Sequence, residues 1–145
     1  MKRKSLILIV ALMIGAAFAF NASLALAKDM TDKDFKAEAL KHITTISVAE
    51  AKAMLDKGGV TFLDVRTKKE FKSGHVPGAI NLSRGLIEFK IGKKISDKNA
   101  SVVVYCKTGG RSCLATYTLV RMGYKNVKSM DGGWKAWAKA GYPVE

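Results

Sequence analysis

From Ile43 to the C-terminus the chain repeats one rhythm, a short apolar run followed by a stretch with helical apolar spacing, and this constrains the fold more than any other feature. The order reads ITTIS, a helix, VTFLDV, AINL, a helix, SVVVYC, a helix, NVKSM and a final helix. Strands alternating with amphipathic helices predict an α/β domain with a mainly parallel sheet. SVVVY is apolar and β-branched almost throughout, as a central strand buried on both faces requires. Two helix starts are marked by capping boxes, Ser47-Val48-Ala49-Glu50 and Thr67-Lys68-Lys69-Glu70, and the first of these helices should stop at Gly58-Gly59. Cys106 then falls at the C-terminal end of a central strand, where open α/β sheets bind their ligands.

The N-terminus has a different character. Lys2-Arg3-Lys4 precedes an apolar run from Leu6 to Phe20, and Ala25-Leu26-Ala27 offers a small-x-small site. This is the order of a secretory signal, and the run is shorter than the ~20 residues that span a bilayer as a helix. The expectation is a signal over 1–27 cut after Ala27, a periplasmic location and no stable membrane insertion, with an uncleaved anchor as the alternative. Residues 28–42 read as a polar lead-in with one or two helical turns, and 43–145 as a single domain.

The formal charge of +13 stays strongly positive after three cations are lost with the signal. Scattered lysines in an exported chain argue for an anionic substrate or surface rather than for nucleic acid. With two cysteines in all, Cys106 and Cys113, the chain is no disulfide scaffold; its core must hold the fold and its thiols are left for chemistry. His42 and His75 are too few and too far apart in sequence to suggest a metal site, and no dinucleotide fingerprint is present.

After the SVVVY strand comes Cys106-Lys107-Thr108-Gly109-Gly110-Arg111-Ser112, then a helix. Adjacent glycines let successive N–H groups turn inward as an anion nest at a helix N-terminus. Such a nest, with Lys107 and Arg111 as neighbouring cations, would favour the thiolate of Cys106, and thiolate is the nucleophilic form. The candidate site is therefore Cys106 as nucleophile, with Lys107, Thr108, Gly109, Gly110 and Arg111 holding an anionic substrate.

At this point the chain resembles the rhodanese-like sulfurtransferases. The match is carried by Leu63-Asp64-Val65-Arg66 with Glu70, by Gly74-His75-Val76-Pro77-Gly78-Ala79-Ile80-Asn81, by the Cys106 loop, and by Asp131-Gly132-Gly133-Trp134-Lys135-Ala136-Trp137. Taken in order, these motifs cover about residues 43 to 142. The resemblance implies a central parallel five-stranded sheet flanked by helices, and a double displacement in which Cys106 takes the outer sulfur of thiosulfate and passes it to cyanide or a thiol. It implies no cofactor. It also separates activities by loop size: the six residues Cys106 through Arg111 fit a sulfurtransferase, whereas related phosphatases have one residue more, so phosphatase activity is the weaker reading. The two loop cations would favour thiosulfate over 3-mercaptopyruvate.

Asp64, Arg66 and Glu70 are expected to form a supporting carboxylate–guanidinium network beside the loop, with Glu70 equally readable as a cap and surface pair. His75 is read as structural, and Trp134 and Trp137 as core. Cys113 is either a buried apolar residue or a thiol that resolves oxidised Cys106. The main functional alternative is a sulfur-relay module that exchanges persulfide with a protein partner.

Overall fold

The computed structural model describes residues 29–145, of which Asp32–Glu145 forms one compact unit. The expected signal and its cut after Ala27 lie outside the described residues.

Five strands, β1 (Thr44–Ile46), β2 (Thr61–Asp64), β3 (Ile80–Asn81), β4 (Ser101–Tyr105) and β5 (Asn126–Met130), make one all-parallel sheet in the order β1-β5-β4-β2-β3. The central strand is β4, as SVVVY required. Its alternate side chains enter two separate cores: Val102 and Val104 on one face, Val103 and Tyr105 on the other. All four are buried, and each buried aliphatic side chain of this size contributes about 1.5–3 kcal/mol.

Among the described residues the α-helices are α1 (Asp32–Leu40), α2 (Val48–Lys57), α3 (Lys68–Lys72), α4 (Ile87–Lys94), α5 (Gly110–Arg121) and α6 (Gly133–Lys139). Ile87 and Ile91 of α4 and Ala115 and Leu119 of α5 pack with Val102 and Val104; Ala51 of α2 and Trp137 of α6 pack on the opposite face. Both capping boxes form. Ser47 Oγ accepts from Glu50 N–H at 3.2 Å and Thr67 Oγ1 from Glu70 N–H at 3.2 Å, while each glutamate accepts in return from the cap's own N–H.

The lead-in differs from expectation. Residues Asp32–Leu40 form a nine-residue helix rather than a turn or two, and it packs on α5. Its charged sequence carries little amphipathic signal, but Ala39 is fully buried and His42, just beyond it, stacks on Tyr117 of α5. Packing partners contributed by another helix, which local sequence cannot reveal, stabilise it.

The strand order switches between the parallel neighbours β2 and β4: the connection after β2 leads outward to β3, and that after β4 leads to β5 on the other side. The C-terminal ends of these neighbouring strands therefore flank the crevice in which parallel sheets bind ligands. The loop after β4 begins with Cys106, and α3 follows the end of β2.

Candidate active site

Cys106 directly follows β4 and is only 1% exposed. The backbone closes over it as a nest. Gly109, with φ +105°, takes the left-handed conformation before α5, and its N–H donates to Cys106 Sγ at 3.2 Å. Burial opposes ionisation of the thiol, but hydrogen bonds from Ser112, Thr108 and Gly109 outweigh it and hold the pKa below that of an ordinary cysteine. The expected glycine pair divides its work unequally. Gly109 needs a positive φ, whereas Gly110 lies in ordinary helical backbone with open space where a side chain would start.

Of the two loop cations, Arg111 is paired within the site and Lys107 lies at its surface. Arg111 faces Glu70, donating from Nη1 to Oε2 at 3.0 Å and from Nη2 to Oε1 at 2.8 Å. The guanidinium holds Glu70 at a pKa of about 2. Arg111 keeps its proton more tightly mainly through Glu70, with a smaller contribution from the charge of Cys106. Lys107 and Thr108 are exposed at the loop surface. The principal forces that acidify Cys106 are thus the backbone N–H groups of Ser112, Thr108 and Gly109, fixed dipoles that outweigh an exposed ammonium in solvent.

The supporting network is two pairs rather than one. Asp64 and Arg66 are buried together, with Arg66 Nε 3.0 and 2.9 Å from the two carboxylate oxygens and Nη2 2.6 Å from Oδ2. Arg66 Nη2 also donates to Gly74 O at 2.7 Å, and its guanidinium lies 4.7 Å from the Trp134 ring centre. The Glu70–Arg111 pair is separate and half-exposed, and it ties α3 to α5 across the crevice. Glu70 also closes the α3 capping box, so its two sequence readings are both realised.

Ser112 and the start of α6 contribute to the site in ways not singled out from sequence. Ser112, used there only to count the loop, is fully buried; its Oγ donates to Gly109 O at 3.0 Å and accepts from Ser129 Oγ at 3.2 Å. At the start of α6, Trp134 N–H donates to Cys106 O at 2.7 Å and Lys135 N–H to Lys107 O at 3.0 Å. A Gly-Gly pair ahead of a tryptophan could have signalled this close approach, since no side chain fits at Gly133 against Cys106 O. Trp137 is core, as expected, but Trp134 is only partly buried and lines a cavity. His75 stacks on Phe71 and bonds its carbonyl through Nδ1 at 3.0 Å, a structural role. Cys113 is buried with its pKa raised by burial, and its thiol faces Lys36 O of α1 at 3.8 Å.

The model of the rhodanese-like domain matches residues 47–140. The chain belongs to the rhodanese-like family. Among curated members of that family, thiosulfate sulfurtransferase 16, chloroplastic, of Arabidopsis thaliana is 36% identical, over 75% of this chain and 98% of its own. Thiosulfate sulfurtransferase GlpE of Pseudoalteromonas translucida is 36% identical, over 70% of this chain and 92% of its own. Of solved rhodanese-like folds, a Rhodopseudomonas palustris CGA009 protein of unknown function, described as a possible tyrosine phosphatase, superposes with a TM-score of 0.76 at 32% identity, covering 82% of this chain and 97% of its own.

Proposed function

We propose that this rhodanese-like protein is an exported thiosulfate sulfurtransferase that carries sulfur as a persulfide on Cys106. The observation that carries the reading is a buried sulfur at the end of β4, held by Gly109 N–H and kept acidic by the loop rather than by any external base. The named activity of two relatives supports thiosulfate as donor.

The Cys106 thiolate attacks the outer sulfur of thiosulfate, the sulfur–sulfur bond of the donor breaks, and sulfite leaves with the electron pair. The outer sulfur of the resulting persulfide keeps the negative charge it carried in thiosulfate, and the same nest of N–H donors stabilises it. Cyanide or a thiolate then attacks that outer sulfur, and the electron pair of the broken bond returns to Cys106.

Incubation with thiosulfate, followed by intact mass, should show a gain of one sulfur that is absent in Cys106→Ser and is discharged by cyanide as thiocyanate. No gain on folded, reduced protein would refute thiosulfate as donor. Export is supported by the basic cluster, apolar run and Ala25-x-Ala27 pattern; N-terminal sequencing of protein from the periplasmic fraction should begin at Lys28.

The likeness to a possible tyrosine phosphatase gives phosphate-ester hydrolysis one observation of its own. Against it stand the six-residue loop and an Arg111 whose two terminal nitrogens are occupied by Glu70. Failure to hydrolyse an aryl phosphate is the expected result.

A further inference from the structure

Beside the Cys106 loop lies a cavity of about 260 Å³, lined by Arg66, Lys69, Glu70, Lys107, Trp134 and Lys135. A water-sized group takes about 30 Å³, so this space exceeds what a sulfate-sized donor fills. Its charges sort themselves by partner. Arg66 is neutralised by Asp64 and Glu70 by Arg111. Among the described residues, Lys69, Lys107 and Lys135 make no ion pair, so the cavity carries three uncompensated ammonium groups around the partly buried Trp134.

The three lysines come from three elements: α3, the loop and α6. Lys135 and Lys107 are joined through their backbones, and α3 is joined to α5 by Glu70–Arg111. The stems are thus anchored at fixed places around the opening. A larger cavity of about 450 Å³, lined by His42, Thr44, Tyr124 and Lys125 among others, borders the opposite, N-terminal ends of β1 and β5 and is lined by no cysteine.

We propose that the cavity beside the loop seats the sulfur acceptor and selects small thiols that carry two carboxylates. The inference rests on the persulfide reading above and adds to it the class of acceptor. Discharge requires an acceptor thiolate, RS⁻, to approach an anionic persulfide: RS⁻ forms a bond to the outer sulfur, the bond from that sulfur to Cys106 Sγ breaks, and the pair returns to Sγ, giving RSS⁻ and the free thiolate. Two anions must meet, with no change in total charge. Uncompensated cations beside the loop that carries the persulfide would offset that repulsion, and carboxylates on Lys69 and Lys135 would hold the acceptor next to that loop. A neutral thiol gains nothing from these groups and a cationic thiol is repelled.

The test loads Cys106 with inorganic polysulfide, which hands over one sulfur and leaves as the next shorter polysulfide, so that no enzymatic donor step is needed. After desalting, single-turnover discharge is followed by the mass of the Cys106 peptide with mercaptosuccinate, 2-mercaptoethanol or cysteamine, each rate normalised to thiolate concentration. At low salt the dicarboxylate should exceed the neutral thiol by about 3- to 10-fold, the scale of one or two partly exposed ion pairs, and cysteamine should be slowest. The preference should shrink as salt shortens the screening length.

Lys69→Ala with Lys135→Ala should bring the dicarboxylate-to-neutral ratio near one, Lys69→Arg with Lys135→Arg should restore it, and Lys57→Ala, at the end of α2, should leave it alone. Equal rates for the three thiols in wild type, or a ratio unmoved by the double alanine variant, would overturn the proposal. Failure of thiosulfate to load Cys106 in a parallel sample bears on the donor alone.

Discussion

Replacing Gly133 by alanine tests whether the start of α6 and the Cys106 loop share one rigid contact. A methyl group on Gly133 would overlap Cys106 O and lie 3.0 Å from both Lys107 C and Thr108 N. All three are backbone atoms, so no side chain can swing away. The residue also has φ +56°, a left-handed conformation that costs about 1–2 kcal/mol for a residue with a Cβ. Overpacking against a fixed neighbour adds about 1–3 kcal/mol. Relief by backing α6 away would break the bonds from Trp134 N–H to Cys106 O and from Lys135 N–H to Lys107 O, at about 0.5–1.5 kcal/mol each. Either route totals about 2–5 kcal/mol. At roughly 4 °C per kcal/mol for a domain of this size, Tm should fall by about 8–20 °C. Thiosulfate loading should fall further than stability explains, because displacement of about 1 Å at a reacting group can cost on the order of 100-fold in rate. Gly110→Ala is the matched control: its backbone is helical and its surroundings open, so Tm should hold or rise slightly. Differential scanning fluorimetry and timed intact mass at fixed thiosulfate measure both effects. A Gly133→Ala protein with Tm within about 2 °C of wild type and unchanged loading would refute the close contact.

Asp64→Asn should destabilise by about 3–5 kcal/mol, seen as a lower urea midpoint at constant slope, because it strands the buried Arg66 charge. Glu70→Gln should cost at most about 1 kcal/mol near neutrality, since the pair with Arg111 is partly exposed. Its native pKa of about 2 lies below the usual 4.5, so the Glu70 contribution is complete above about pH 4.5 and disappears as pH falls toward 2; wild type and variant should converge in acid, and a gap that persists there would refute the assignment. Ser112→Ala removes the hydroxyl that donates to Gly109 O and can turn its proton to the sulfur once the thiolate forms, so the pH midpoint for iodoacetamide labelling of Cys106 should rise; an unmoved midpoint would leave the backbone N–H groups as the source of its acidity.

Much of the site was legible because its signals are local. SVVVYC fixes a doubly buried strand ending in a thiol, Gly109 allows the turn that brings an N–H onto sulfur, and both capping boxes form as the spacing required. Pairings across the sheet were less legible. Asp64, Arg66 and Glu70 looked like one network because they are close in sequence, yet Glu70 pairs with Arg111, 41 positions away, and Arg66 turns back to Asp64.

The sequence by itself determined the α/β rhythm, the central strand and the placement of Cys106 at its end, since hydrophobic periodicity and glycine conformation are properties of the local chain. Only the tertiary structure decided which groups surround the sulfur. The β2–β4 adjacency brings Glu70 to Arg111, the approach of α6 clamps the loop through Gly133, and the packing of α5 against β5 brings Ser129 to Ser112. These contacts depend on elements far apart in the chain meeting at one edge of the sheet. That meeting neutralises Arg111 and leaves Lys69, Lys107 and Lys135 as the uncompensated charge around the cavity.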